Sequence, residues 1–77
     1  MLILLNNIEL VKRFVAKTTS LEMSDVDLKS GRYRVSSTSI MGIFSLDLTK
    51  PMELVEENMT SKQKEEIIKE FNSVITN

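Results

Sequence analysis

DVDLKSGRYRVSSTSIMGIFSLDL, residues 25–48, changes its repeat halfway along. Asp25-Val26-Asp27-Leu28 alternates polar with apolar, and so does Arg32-Tyr33-Arg34-Val35-Ser36. Ser30-Gly31 lies between the two runs. A period of two interrupted by a turn signal predicts a β-hairpin with one apolar and one charged face. Arg32 and Arg34 are then expected to face solvent, where charge discourages edge-to-edge pairing. Beyond the hairpin the period lengthens. Ser37, Thr38 and Ser39 are cap formers, and Ile40, Met41, Ile43 and Phe44 supply about two turns of helix.

The flanks extend this pattern in both directions. Upstream, Met1-Leu2-Ile3-Leu4-Leu5 is apolar but short, with no basic segment before it and no small-residue cleavage site after it. It is too short for a signal core or a membrane span and predicts a first strand. Asn6-Asn7-Ile8-Glu9 has capping-box spacing. It predicts a helix over residues 7–20 with Ile8, Val11, Phe14, Val15 and Thr18 as its inner stripe and Lys12, Arg13 and Lys17 opposite. Downstream, Pro51 opens a strand, where proline is tolerated at the first position. Met52, Leu54 and Glu56 take one side of it, Glu53 and Val55 the other. Thr60-Ser61-Lys62-Gln63 is a second capping box. It predicts a last helix to about Ile75, striped by Ile67, Ile68, Phe71, Val74 and Ile75, with Glu65 and Lys69 as a favourable pair four residues apart.

The element order is therefore β-α-β-β-α-β-α. One apolar stripe per helix and one apolar face per strand point to an α+β fold. The economical arrangement is a two-layer, open-faced α/β sandwich: an antiparallel sheet with helices on one face. The other face is expected to be polar, carrying Asp25, Asp27, Arg32 and Arg34. Residues 1–77 make a single domain. A chain of this length buries about 60% of the surface it exposes when unfolded, so its core is small. With no cysteine, no disulfide reinforces it, which suits a reducing cytoplasm.

Composition narrows the chemistry. The chain has no histidine and no cysteine. Ser-His-Asp and Cys-His catalysis and histidine or thiolate zinc sites are excluded. Its two glycines stand alone, so no phosphate-cradling glycine loop exists. Asp25 and Asp27 share a strand face and could contribute to a hard-cation site. Such sites want several oxygens, and no third or fourth ligand is evident, so a solvated strand face is the reading preferred. Glu56-Glu57 reads as a charged turn. Lys62, Lys64, Lys69, Glu65, Glu66 and Glu70 read as the wet side of the last helix. Ten basic and eleven acidic residues nearly cancel, which gives no electrostatic case for nucleic acid or an anionic membrane. The residues predict a non-enzymatic domain, without metal or cofactor, that works by binding. Its short second helix is apolar on most sides and cannot bury all of them against one sheet. Met41 and Phe44 are expected outside, Ile40 and Ile43 inward.

The same middle segment resembles the histidine-containing phosphocarrier (HPr) family of the bacterial sugar phosphotransferase system. The resemblance lies in a strand pair, a turn glycine, and then Thr38-Ser39-Ile40-Met41-Gly42-Ile43-Phe44-Ser45-Leu46. It is close over about a third of the chain and pattern-level elsewhere. It implies the family's strand order, 1-4-2-3, and a cytoplasmic bacterial protein. The family's phosphate-carrying segment, Gly-Ile-His-Ala-Arg-Pro-Ala, has no counterpart here. Leu4-Leu5-Asn6-Asn7-Ile8-Glu9 stands in its place, shorter and without His, Arg or Pro. Histidine phosphocarrier activity is therefore not expected. The resemblance implies that Ser39 matches the serine modified by HPr kinase. It also implies that Ile40, Met41 and Phe44 match part of the surface that docks partners of the phosphotransferase and catabolite-control machinery. A known paralogue in the family lacks the histidine, keeps the serine and acts only in regulation, and the resemblance implies the same logic here. The alternatives remain a Ser39 that merely caps its helix, and a degenerate domain that uses the second helix for weak homodimerisation.

Overall fold

The computed structural model describes residues 1–76. Its elements are β1 (Leu2–Ile3), α1 (Ile8–Ser20), β2 (Asp27–Ser30), β3 (Tyr33–Ser36), α2 (Ile40–Phe44), β4 (Met52–Leu54) and α3 (Ser61–Phe71), with a 3-10 turn over Asn72–Val74. The four strands form one sheet ordered β1-β4-β2-β3, antiparallel throughout. The architecture is the α+β open-faced sandwich that the periodicities predict.

The sheet sorts its side chains by register. Leu28 lies opposite Val35 on one side and Leu54 on the other, and Ile3 lies opposite Met52. This face meets the helices. Lys29 lies opposite both Arg34 and Glu53 on the outer face. Ile3, Leu28, Met52 and Leu54 join Val11 and Phe14 of α1, Ile43 of α2, and Ile67 and Phe71 of α3 in the buried core. The rings of Phe14 and Phe71 meet edge-on at 5.5 Å between centroids, locking α1 to α3. Lys17 Nζ adds an ion pair across the same seam, 2.9 Å from Glu66 and 3.6 Å from Glu70.

The caps show how local sequence sets the boundaries. Asn7, not Asn6, caps α1: its Oδ1 accepts the Leu10 N–H at 2.9 Å. At α3 the full capping box forms, with Thr60 and Gln63 exchanging hydrogen bonds at 2.9 and 3.1 Å. Gly31 turns the hairpin with φ of 59°, a left-handed conformation that a side chain would strain.

Several expectations are corrected. Helix α3 ends at Phe71, not near Ile75. The following residues turn back along β1: Ile75 bridges Ile3, the Leu4 N–H reaches Val74 O at 2.9 Å, and the Thr76 N–H reaches Leu2 O at 3.0 Å. Ile8 is 58% exposed because it opens α1 rather than joining the inner stripe. Tyr33 is 67% exposed because it sits where the hairpin projects past the core. Asp25 precedes β2 instead of sharing its outer face. Glu56 lies beyond β4. There its carboxylate binds Lys64 Nζ at 2.6 Å and the Met1 ammonium at 2.8 Å. These cations, Lys64 first, hold its pKa at about 2, against an ordinary 4.5.

Candidate functional site

The junction between β3 and α2 is built from hydroxyls, each with its own task. Ser36 Oγ donates to Ser24 O at 2.9 Å, accepts the Thr38 N–H at 3.3 Å, and lies 3.0 Å from Thr38 Oγ1. Ser37 is buried; its Oγ donates to Met23 O at 2.8 Å and its N–H to Val26 O at 2.8 Å. Thr18 Oγ1, buried in α1, donates to Ser37 O at 2.8 Å. Ser39 is the cap: its Oγ accepts the Gly42 N–H at 3.1 Å, and its carbonyl accepts the Ile43 N–H at 3.0 Å. Of the three candidate hydroxyls, Ser39 alone caps α2, while Ser37 and Thr38 anchor the chain leading into it.

These bonds make a five-residue helix persist. So short a helix is not stable through its own backbone. Its entry is tied to the turn after α1, and its underside presses on β3 through Gly42. A Cβ at Gly42 would lie 2.9 Å from Ser39 Oγ and 3.1 Å from Val35 Cβ. The absence of that atom lets the helix approach the sheet and leaves the Ser39 oxygen room to accept.

The apolar residues of α2 then separate. Ile43 is buried, and Ile40 packs half-buried against the core. Met41 is 78% exposed and Phe44 38% exposed. The four site residues read from the sequence, Ser39, Ile40, Met41 and Phe44, thus belong to one cap and one short helix, with two side chains facing out and one turned inward. Past its C-terminal end, Leu46 is buried again. There a groove of about 620 Å³ opens between the hairpin turn and the loop before β4, lined by Arg32, Tyr33, Asp47 and Lys50 among others. Asp47 is kept below the usual carboxylate range by hydrogen bonds from the Thr49 hydroxyl and N–H, with Lys50 adding to the effect.

Sequence reasoning missed the latch of Thr18, Ser36 and Ser37. Thr18 read as part of an inner stripe and Ser36 as the end of a strand. Their partners lie 19 and 12 residues away, at carbonyls that carry no side-chain signature. The aspartate pair considered for a cation is not a pair. Asp27 takes Arg34 Nε at 2.7 Å, and the same guanidinium reaches Glu57 at 3.1 Å. Among the described residues, no three His, Cys, Asp or Glu side chains are grouped to hold an ion. None of the described helices is long and apolar enough to cross a membrane.

Comparisons of the chain with family models, with curated proteins and with solved structures gave no match.

Proposed function

We propose that this chain is an HPr-like regulatory protein of the bacterial cytoplasm, not a catalyst, that docks protein partners of the sugar phosphotransferase or catabolite-control machinery through α2 and is switched by phosphorylation of Ser39. The observation that carries the reading is the exposure of Met41 beside Phe44 on a helix whose position the hydroxyl latch fixes. Isolated exposed apolar residues are ordinary; a methionine and a phenylalanine three positions apart on an uncharged helix form an adaptable apolar surface. The sheet order supports the family reading because the resemblance implies the same order. Histidine phosphotransfer is outside this reading, since the chain has no imidazole.

Ser39 suits a switch for an electrostatic reason. Its oxygen already sits against the N–H of Gly42 at the start of α2. A phosphoryl group transferred there from ATP, with release of ADP, adds about 1.5 to 2 negative charges and three strong acceptor oxygens. The added oxygens can keep the Gly42 N–H satisfied while the outer surface next to Met41 becomes anionic. Incubation with HPr kinase and ATP tests this: one phosphate on Ser39, mapped by peptide mass, is expected. A chain that stays unmodified beside a phosphorylated HPr control sinks the switch. Docking is tested separately by isotope-edited NMR, where purified Enzyme I or HPr kinase should shift the α2 amides.

The same exposed surface also favours a second reading, weak self-association through α2. Sedimentation at high micromolar concentration discriminates, because a monomer there removes it.

A further inference from the structure

The five methionines occupy unequal places. Met23 and Met52 are wholly buried, and Met1 and Met59 pack part-buried against the core. Met41 is 78% exposed, the most exposed of the large apolar residues. It is also the one methionine on α2, and the core does not depend on it.

We propose that Met41 is a selective, reversible oxidation site that turns the α2 surface from apolar to polar while the fold stays intact. The oxidant is hydrogen peroxide. A sulfur lone pair attacks one peroxide oxygen, the O–O bond breaks, and proton transfer to the departing oxygen releases water. The thioether is oxidised by two electrons to a sulfoxide, and the peroxide is reduced by two. Exposure sets the order of attack, because the sulfur must meet the peroxide in water. The product is a strong hydrogen-bond acceptor that remains solvated at this position. At Met23 or Met52 the same product would place an unpaired polar oxygen in the core. The chain has no cysteine to compete for the oxidant. Selectivity rests on burial alone; the consequence for partner binding rests on the docking role proposed for α2.

The test is a time course of the whole folded chain in dilute hydrogen peroxide, read by peptide mass and circular dichroism. One added oxygen should appear first on Met41, roughly several-fold faster than on any other methionine, with the far-ultraviolet spectrum unchanged. Methionine sulfoxide reductases of both stereospecificities, with dithiothreitol, should remove it. Met41→Leu should abolish the first oxidation event and leave the slower ones in place. Equal rates at Met1 or Met59, unfolding in step with the first oxygen, or a product the reductases cannot reverse would each overturn the proposal. A second arm measures Enzyme I or HPr kinase binding before and after oxidation, expecting a loss in the native chain and none in Met41→Leu. If the unoxidised chain binds neither protein, the docking role fails, while the mass time course still decides whether Met41 is the site.

Discussion

Helices α1 and α2 lean on the same sheet and are held there by different means. Helix α1 runs thirteen residues and buries Val11, Phe14 and Thr18, with Lys12 and Arg13 left outside. Helix α2 runs five residues, buries Ile43 alone, and leaves Met41 and Phe44 in solvent. The first is fixed by what it covers. The second is fixed by hydrogen bonds at its entrance and by a missing Cβ beneath it. Burial makes a helix part of the core, whereas capping and close approach can hold one in place with its apolar side chains still free to meet something else.

The largest break in this contrast should come from α1. Phe14→Ala removes the ring that meets Phe71 and is expected to cost about 3–5 kcal/mol. In a domain this small, that loss is a large fraction of total stability and should appear as an unfolded or barely folded chain in urea titration. Gly42→Ala comes next, at about 1–3 kcal/mol, because the new methyl would crowd Val35 and the Ser39 oxygen. Its amide shifts should concentrate in α2 and β3; shifts spread evenly through α1 would break the comparison. Ser39→Ala should cost about 1 kcal/mol by leaving the Gly42 N–H without its cap. A change in α1 protection as large as that in α2 would show that the two helices are not separately secured.

Smaller effects sharpen the same contrast. Glu56 belongs with the fold-holding side, clamped between Lys64 and the amino terminus. Because its folded pKa, about 2, lies below the ordinary 4.5, its contribution is complete above pH 4.5. The contribution is lost as pH falls toward 2. The melting-temperature gap between the native chain and Glu56→Gln should close across that window; a gap that persists unchanged down to pH 2 would refute the clamp. Smallest of all, Met41→Ser should move stability by less than about 0.5 kcal/mol, since its side chain already faces water. If α2 docks partners as proposed, its effect should instead fall on binding, seen as loss of any α2 shifts that Enzyme I or HPr kinase induces.

What was legible in the sequence follows from how far apart the interacting groups lie. The hairpin, the Thr60–Gln63 box and the stripe of Val11 and Phe14 are local patterns; the box and the stripe stand where the spacing put them, and the hairpin forms with its first strand shifted to Asp27–Ser30. That some apolar side chains of α2 stay outside was legible from its shortness; that Met41 is the one outside and Ile43 the one buried is set by packing that the spacing does not fix. Val74 and Ile75 continued a helical spacing by coincidence; their positions are set by β1, more than seventy residues earlier. The latch under α2 was illegible for the same reason, as hydroxyls that cap and hydroxyls that reach distant carbonyls look alike in one dimension. Arg34 was expected to meet water, and it does so while gripping Asp27 and Glu57.

The return of residues 74–76 along β1 has a consequence for the order in which the molecule can be completed. Leu2 and Ile3 pair with Glu53 and Met52, and the backbone on either side of Ile3 bonds to Val74 and Thr76. During synthesis the hairpin can close within a few residues of being made, but β1 must wait. Contacts so distant along the chain are closed slowly, since a long loop loses its freedom before any bond rewards it. The first strand of the sheet in chain order is among the last to find its neighbours.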